Sequence, residues 1–238
     1  MDVFMPEKSH VVALAFLGTG FLLLVAFLAL AGSLWRGNLM LARRAFLGGA
    51  LIGAGYLLLV LAFSFASKES VLAAGDWKYF CELDCHTAYT VTEVRQAKTL
   101  GSGEQAVTAS GTFYVVTLKA WFDPNTISPR RGDFPLFPNA RSVLVLDAQR
   151  RRFGPSLAGQ RALETPAARL VPLAQSLRPG DSYETTFVFD LPADARHPRL
   201  LLTDPSPVNR VLIGHENSLF HKKVYFRVDV TPLSQATL

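Results

Sequence analysis

Hydrophobic and polar positions change their pattern twice along the chain. Val11 to Leu34 is an unbroken apolar run without a charged residue, and Ala45 to Phe65 is a second. Each reaches the ~20 apolar residues that a helix needs to cross a bilayer. The pattern predicts two transmembrane helices over 11–34 and 45–65, inside a membrane anchor of residues 1–66. Gly48, Gly49, Gly53 and Gly55 lie in the second run. Small residues let helices approach closely, so this face is expected against the first helix. Residues 67–87 read as a linker and a cysteine–histidine junction. From Ala88 the pattern turns to period two, and residues 88–232 are expected to form one β-sandwich domain.

Several stretches carry that second expectation. In Gly111 to Phe122 the side chains of Tyr114, Val116, Leu118, Ala120 and Phe122 share one face, as in a strand covering a core on one side. Asp123-Pro124-Asn125 ends it, and Thr126 to Ala140, rich in Pro, Arg and Gly, reads as an irregular excursion. Ser142 to Asp147 is a further strand. Gln160 to Gln175 holds Pro166 and Pro172 and is expected to be loop with a helical turn. Arg178-Pro179-Gly180-Asp181 is a turn: proline presets φ and glycine accepts a positive one. Tyr183, Thr185, Phe187 and Phe189 then line one strand face. Leu200 to Thr203 is a short strand, and Phe220 to Val230 closes the domain with Val224, Phe226, Val228 and Val230 inward. Short strands separated by turns, without long helices between them, predict an antiparallel sandwich.

The run Leu177-Arg178-Pro179-Gly180-Asp181-Ser182-Tyr183-Glu184-Thr185-Thr186-Phe187-Val188-Phe189-Asp190-Leu191-Pro192 resembles the late segment of a bacterial immunoglobulin-like domain family of unknown function, found on lipoproteins and membrane-anchored surface proteins. The resemblance extends over roughly Ala88 to Val230. It implies an immunoglobulin-like sandwich, exported and tethered, and it carries over no catalytic residue.

Charge sets the orientation. Arg36, Arg43 and Arg44 cluster between the two apolar runs without an acidic residue beside them. Asp2, Glu7 and Lys8 precede the first run, and Lys68, Glu69, Asp76 and Lys78 follow the second. Positive residues stay cytoplasmic. The expected protein is therefore a two-pass inner (plasma) membrane protein with its N-terminus and C-terminal domain outside the cytoplasm. A competing reading makes the first run a signal peptide cleaved near Ala29-Leu30-Ala31; its length and the weak basic segment before it speak against that. The net charge of +5 is spread along the chain. Its densest run, Arg150-Arg151-Arg152, lacks the interleaved aromatic residues of a nucleic-acid groove, so it reads as a solvated turn and no nucleic-acid partner is expected.

The candidate chemistry gathers in Lys78-Tyr79-Phe80-Cys81-Glu82-Leu83-Asp84-Cys85-His86, which holds both cysteines. On the oxidising side of a membrane two thiols pair by default. On a helical turn cysteines four apart have α-carbons about 6 Å apart, within disulfide range. Two other readings stand beside the disulfide. Cysteine, cysteine, histidine resembles the haem c attachment motif, with three residues between the cysteines where the usual motif has two. Cys81, Cys85 and His86 also offer ligands for copper or zinc, although a paired-copper site would want a histidine where Tyr89 stands. His215 and His221 are secondary ligand candidates; the glycine and asparagine around them read as a polar turn. Asp123, Asn125 and Asp133 lack the regular spacing of a calcium loop and read as turn residues.

No serine–histidine–acid set, carboxylate pair or phosphate loop stands out. The expectation is a non-enzymatic, membrane-anchored binding or assembly module with no cofactor. Its partners would be the bilayer and a membrane or envelope protein. The rival is a redox or metal-handling protein carrying haem c or copper on Cys81, Cys85 and His86.

Overall fold

The structure, a computed structural model, describes residues 3–4, 9–80, 86–128, 130–163 and 172–228. Two units emerge. One comprises Met1–Pro6, Glu69–Pro205 and Val224–Leu238; the other comprises Glu7–Lys68 and Ser206–Lys223.

The second unit is built on α1 (Ser9–Trp35) and α2 (Leu39–Ala66), helices of 27 and 28 residues. At 1.5 Å per residue each is ~40 Å long. Their apolar stretches, with mean hydropathies of 2.6 and 2.2, are long and apolar enough to cross a membrane. Almost none of their side chains is covered by protein, unlike the core helix of a globular domain. Gly37, at φ 69°, makes the tight turn between them. Asn38 then caps α2, its side chain accepting from the backbone N–H of Leu41 at 3.1 Å. The glycine face meets α1 as expected at two of its four positions. A Cβ on Gly49 would lie 3.3 Å from the Ala26 Cβ, and one on Gly53 would lie 3.9 Å from the Leu23 Cδ2; Gly48 and Gly55 face open space.

The first unit is rich in β-structure, with two five-stranded sheets. One has the order β1 (Val3–Phe4), β3 (Trp77–Phe80), β4 (Thr87–Leu100), β5 (Val107–Phe122), β8 (Ser182–Leu191). The other has the order β2 (Ser70–Leu72), β10 (Val224–Arg227), β9 (Arg199–Thr203), β6 (Ser142–Leu146), β7 (Arg152–Phe153). Pairing is antiparallel except β1 on β3 and β2 on β10. Residues 67–87 thus contribute two strands, and these belong to different sheets. The crossing is made over Ala73 to Asp76. Gly75 takes φ 88°, and the buried Asp76 carboxylate accepts from Ala73 N–H at 2.9 Å.

One core lies between the sheets. Val91, Val116, Leu118, Phe122 and Phe189 enter it from the first sheet, and Val145, Leu200, Leu202, Val224 and Phe226 from the second. The face of β5 expected to be buried, Val116 to Phe122, is in this core, with Tyr114 packed at its margin. The opposite face of β5 is apolar at one end as well. Phe113, Val115 and Val188 form a second cluster with Ala109, and α3 (Leu157–Leu163) packs there. Gly159 is the point of closest approach: a Cβ would fall 2.6 Å from Val188 and 3.0 Å from Phe113. The closing strand is shorter than expected. It begins at Val224, and Phe220 takes φ 64° outside it.

Arg150 to Arg152 does lie at the turn between β6 and β7, but Arg151 is not merely solvated. It bonds Asp147 through Nε at 2.6 Å and Asp194 through Nη1 at 2.9 Å. Burial pushes Asp147 up, yet hydrogen bonds and charge from Arg151 outweigh this and hold it below its ordinary 3.8. The Arg151 hydrogen bond also holds Asp194 low.

Two predictions follow from these contacts. Gly111→Ala would set a Cβ 1.9 Å from the Leu191 carbonyl oxygen, and should cost about 3 kcal/mol or more in denaturant unfolding; Gly159→Ala should cost about 1–3 kcal/mol. Gly154→Ala, with open space around it, should stay within about 0.5 kcal/mol of wild type. Because Asp147 and Asp194 have lowered folded pKa values, their stabilisation is complete above 3.8 and is lost as the pH falls through those lower values. Arg151→Met should lower stability at neutral pH and make the decline below about pH 4 shallower, read from unfolding midpoints across pH.

Candidate functional site

The junction is framed by β3 and β4, whose ends Phe80 and Thr87 are register partners. Cys81 and Cys85, between them, lie outside the described residues. His86 is described, and so is the ground on either side. Lys78, Tyr79 and Phe80 are all buried, so this end of the sheet is covered on both faces.

On the core side, Phe80 lies between two cations. The Lys78 ammonium is 5.0 Å from its ring centroid and the Arg141 guanidinium 4.4 Å. Tyr89 meets the same ring edge to face at 5.5 Å and donates its hydroxyl to the Leu173 carbonyl at 2.9 Å. A charge is buried at high cost unless it finds polar partners. Lys78 donates to the carbonyls of Leu202 at 2.7 Å and Val224 at 3.2 Å, which ties the first sheet to the second. Arg141, its side chain wholly buried, pairs with Asp204 at 3.1 Å, and Asn139 donates to the same carboxylate oxygen at 3.2 Å.

Around His86 a second network forms. Asp123 N–H bonds the His86 carbonyl at 2.9 Å. The Asp123 carboxylate accepts from the Tyr79 hydroxyl at 2.6 Å, and from Asn125 backbone and side-chain N–H at 2.9 and 3.0 Å. Asp123 and Asn125 are thus turn residues, as read from the sequence. Burial, and after it the bond to Asp123, push the Tyr79 phenol well above its ordinary value of 10. Thr126 donates its hydroxyl proton to the Asp123 carbonyl at 2.8 Å. It can therefore only accept along its 2.7 Å contact with His86 Nδ1, which points to Nδ1 as the donor in that bond. The imidazole stacks on Phe122 at 5.4 Å, and the Arg131 guanidinium lies 4.9 Å from that same ring.

His215 and His221 fall in the other unit, in the segment Ser206–Lys223. His215 Nδ1 accepts from Asn217 N–H at 3.0 Å, and His221 Nδ1 donates to the Lys222 carbonyl at 2.6 Å. Burial lowers the His221 pKa. Asp133 binds Arg178 at 3.1 Å on the surface. Among the described residues no group of three His, Cys, Asp or Glu side chains is arranged to hold a metal ion. Thr87 begins a strand, so no helix follows His86. A groove of about 220 Å³ lies elsewhere, at Val71, His197, Pro198, Arg199 and Arg227.

Sequence reasoning singled out His86 but passed over Lys78, Arg141 and Asp204. One signal was available: Lys78 is a lone cation in the aromatic run Trp77-Lys78-Tyr79-Phe80. Arg141 and Asp204 are 63 residues apart, and nothing local marks them as partners.

No family model matches the chain, and no curated protein matches it. Two solved structures align with parts of it. A secreted protein of Mycobacterium tuberculosis, MPT63, aligns with a TM-score of 0.40 at 8% identity, over 68% of this chain and 97% of that one. A conserved hypothetical protein of Bacillus anthracis aligns with a TM-score of 0.37 at 13% identity, over 54% of this chain and 92% of that one. At TM-scores below 0.5 neither likeness assigns a family or an activity.

The His86 network makes its own prediction. Thr126→Val should cost about 1–2 kcal/mol and free the imidazole tautomer, seen as loss of the protonated-type Nδ1 signal in nitrogen NMR. In a double-mutant cycle, Tyr79→Phe and Asp123→Asn should couple by about 1–3 kcal/mol.

Proposed function

We propose that the chain is a two-pass inner-membrane protein that holds an extracytoplasmic immunoglobulin-like domain at the membrane, where it binds a protein or envelope component without catalysing a reaction. The observation that carries this reading is the uncovered apolar hairpin of α1 and α2, whose arginines, Arg36, Arg43 and Arg44, gather at its turn end. Positive residues favour the cytoplasmic side, which sends the β-rich unit to the other.

The immunoglobulin-like assignment draws support from connectivity. With β4, β5, β6, β7, β8, β9 and β10 taken as strands A, B, C, C′, E, F and G, the sheet orders become A-B-E and G-F-C-C′. These orders agree with an immunoglobulin-like arrangement that lacks strand D and adds β3 and β1 beyond A and β2 beyond G. In an oxidising compartment Cys81 and Cys85 form a disulfide in this reading.

The second reading, a haem c or copper centre on Cys81, Cys85 and His86, is favoured by one observation: Thr126 engages the His86 ring through Nδ1, so a ligated atom would be met through Nε2. One preparation separates the two. Purified full-length protein should show no visible absorbance and should gain about two mass units on reduction. A Soret band with a covalent mass increase, or bound copper lost together with thiolate absorption, would replace the binding-module reading. Reporter fusions after residue 38 and after residue 228 should report opposite sides of the membrane, the second outside the cytoplasm.

A further inference from the structure

The segment Ser206–Lys223 shares a unit with the helical hairpin, although it lies between β9 and β10 in the chain. Three contacts and one close approach join it to α2 and its C-cap. The Tyr56 hydroxyl donates to the Val211 carbonyl at 2.8 Å. Gly214 approaches Phe63, to 3.8 Å from an added Cβ. Phe220 stacks on Phe65 with centroids 5.7 Å apart. Lys222 N–H bonds the Ser67 hydroxyl oxygen at 2.8 Å. From residue 56 to residue 67 these anchors run ~16 Å along the helix axis.

We propose that this segment is an interfacial element seated in the lipid surface, at the boundary of acyl chains and headgroups around the C-terminal end of α2. The proposal rests on the reading of the hairpin as membrane-spanning. Three features point to lipid. First, Val208, Val211, Leu219 and Phe220 are exposed, Phe220 by 68%, and they continue the uncovered apolar surface of α2 at Phe63 and Phe65. Phe220 even adopts a positive φ, rare for a bulky residue, while stacking on Phe65. Second, the segment satisfies much of its backbone internally, as a chain entering a lipid boundary must. Leu219 N–H bonds the Arg210 carbonyl at 3.2 Å, Ser218 N–H that of His215 at 2.8 Å and His221 N–H that of Ser218 at 3.1 Å. Ser218 Oγ donates to the Leu212 carbonyl. Third, the segment exposes two basic residues, Arg210 and Lys222, while Lys223 bonds the Glu216 carbonyl and Asn217 and the one acid, Glu216, is buried. Exposed apolar side chains flanked by cations suit anionic headgroups.

Photo-crosslinking tests this on the full chain in vesicles of phosphatidylcholine and phosphatidylglycerol. Benzoylphenylalanine replaces Phe220 or Leu219, with Leu58 on the exposed face of α2 and Phe134 on the β-rich unit as references. Lipid adducts at positions 219 and 220 should come within about threefold of the yield at 58 and exceed that at 134 by about tenfold. Adducts at 58 with only the Phe134 level at 219 and 220 would overturn the interfacial seat while leaving the hairpin reading intact. A protein adduct in place of lipid at 220 would also overturn it. Absence of lipid adducts at 58 would remove the hairpin reading and this proposal together.

Discussion

Strand β5 is apolar on both faces, and both faces have to be covered. Its inward side, Val116 to Phe122, can be buried only by a second sheet, which β6, β9 and β10 supply. Its outward side, Phe113 and Val115, would meet water without α3, and α3 can approach only because residue 159 is glycine. The long ladders of β4 and β8 on either side of β5 then fix the register of the whole first sheet. The remaining strands find their places around this doubly covered element.

The entry into the β-rich unit follows from the same requirement. The chain leaves α2 at Ala66 and soon supplies a strand to each sheet, β2 at the edge of one and then β3 between β1 and β4 in the other. Where β3 meets β4 both faces are covered, so polar groups caught there need internal partners. Lys78 reaches carbonyls of the opposite sheet, Arg141 is neutralised by Asp204, and Tyr79 closes on Asp123. These bonds give each of the three an internal polar partner at this end of the first sheet. His86 is held nearby by its Nδ1 contact with Thr126 and its stacking on Phe122. A histidine oriented in this way suits a structural corner as well as a ligand, and the chemistry of Cys81 and Cys85 separates the two.

The hairpin poses the opposite problem, because its side chains are apolar and uncovered. In the proposed membrane reading lipid covers the helices, and it would cover Ser206–Lys223 as well, whose exposed Val, Leu and Phe side chains continue the surface of α2. One solvent would then account for both parts of this unit, despite the long stretch of sequence between them.

What the sequence determined by itself was local. Unbroken apolar runs longer than 20 residues can satisfy their backbone within a bilayer only as helices, and period-two alternation from residue 111 onward can bury a face only as strands. Those rules need no knowledge of the partner. Tertiary structure decided everything that joins distant residues. It recruited 70–72 and 77–80 into sheets, because a short strand is defined by the neighbour that pairs with it. It placed Arg141 beside Asp204, and it joined 206–223 to α2. Such pairings depend on which surfaces meet after folding, and no periodicity along the chain records that.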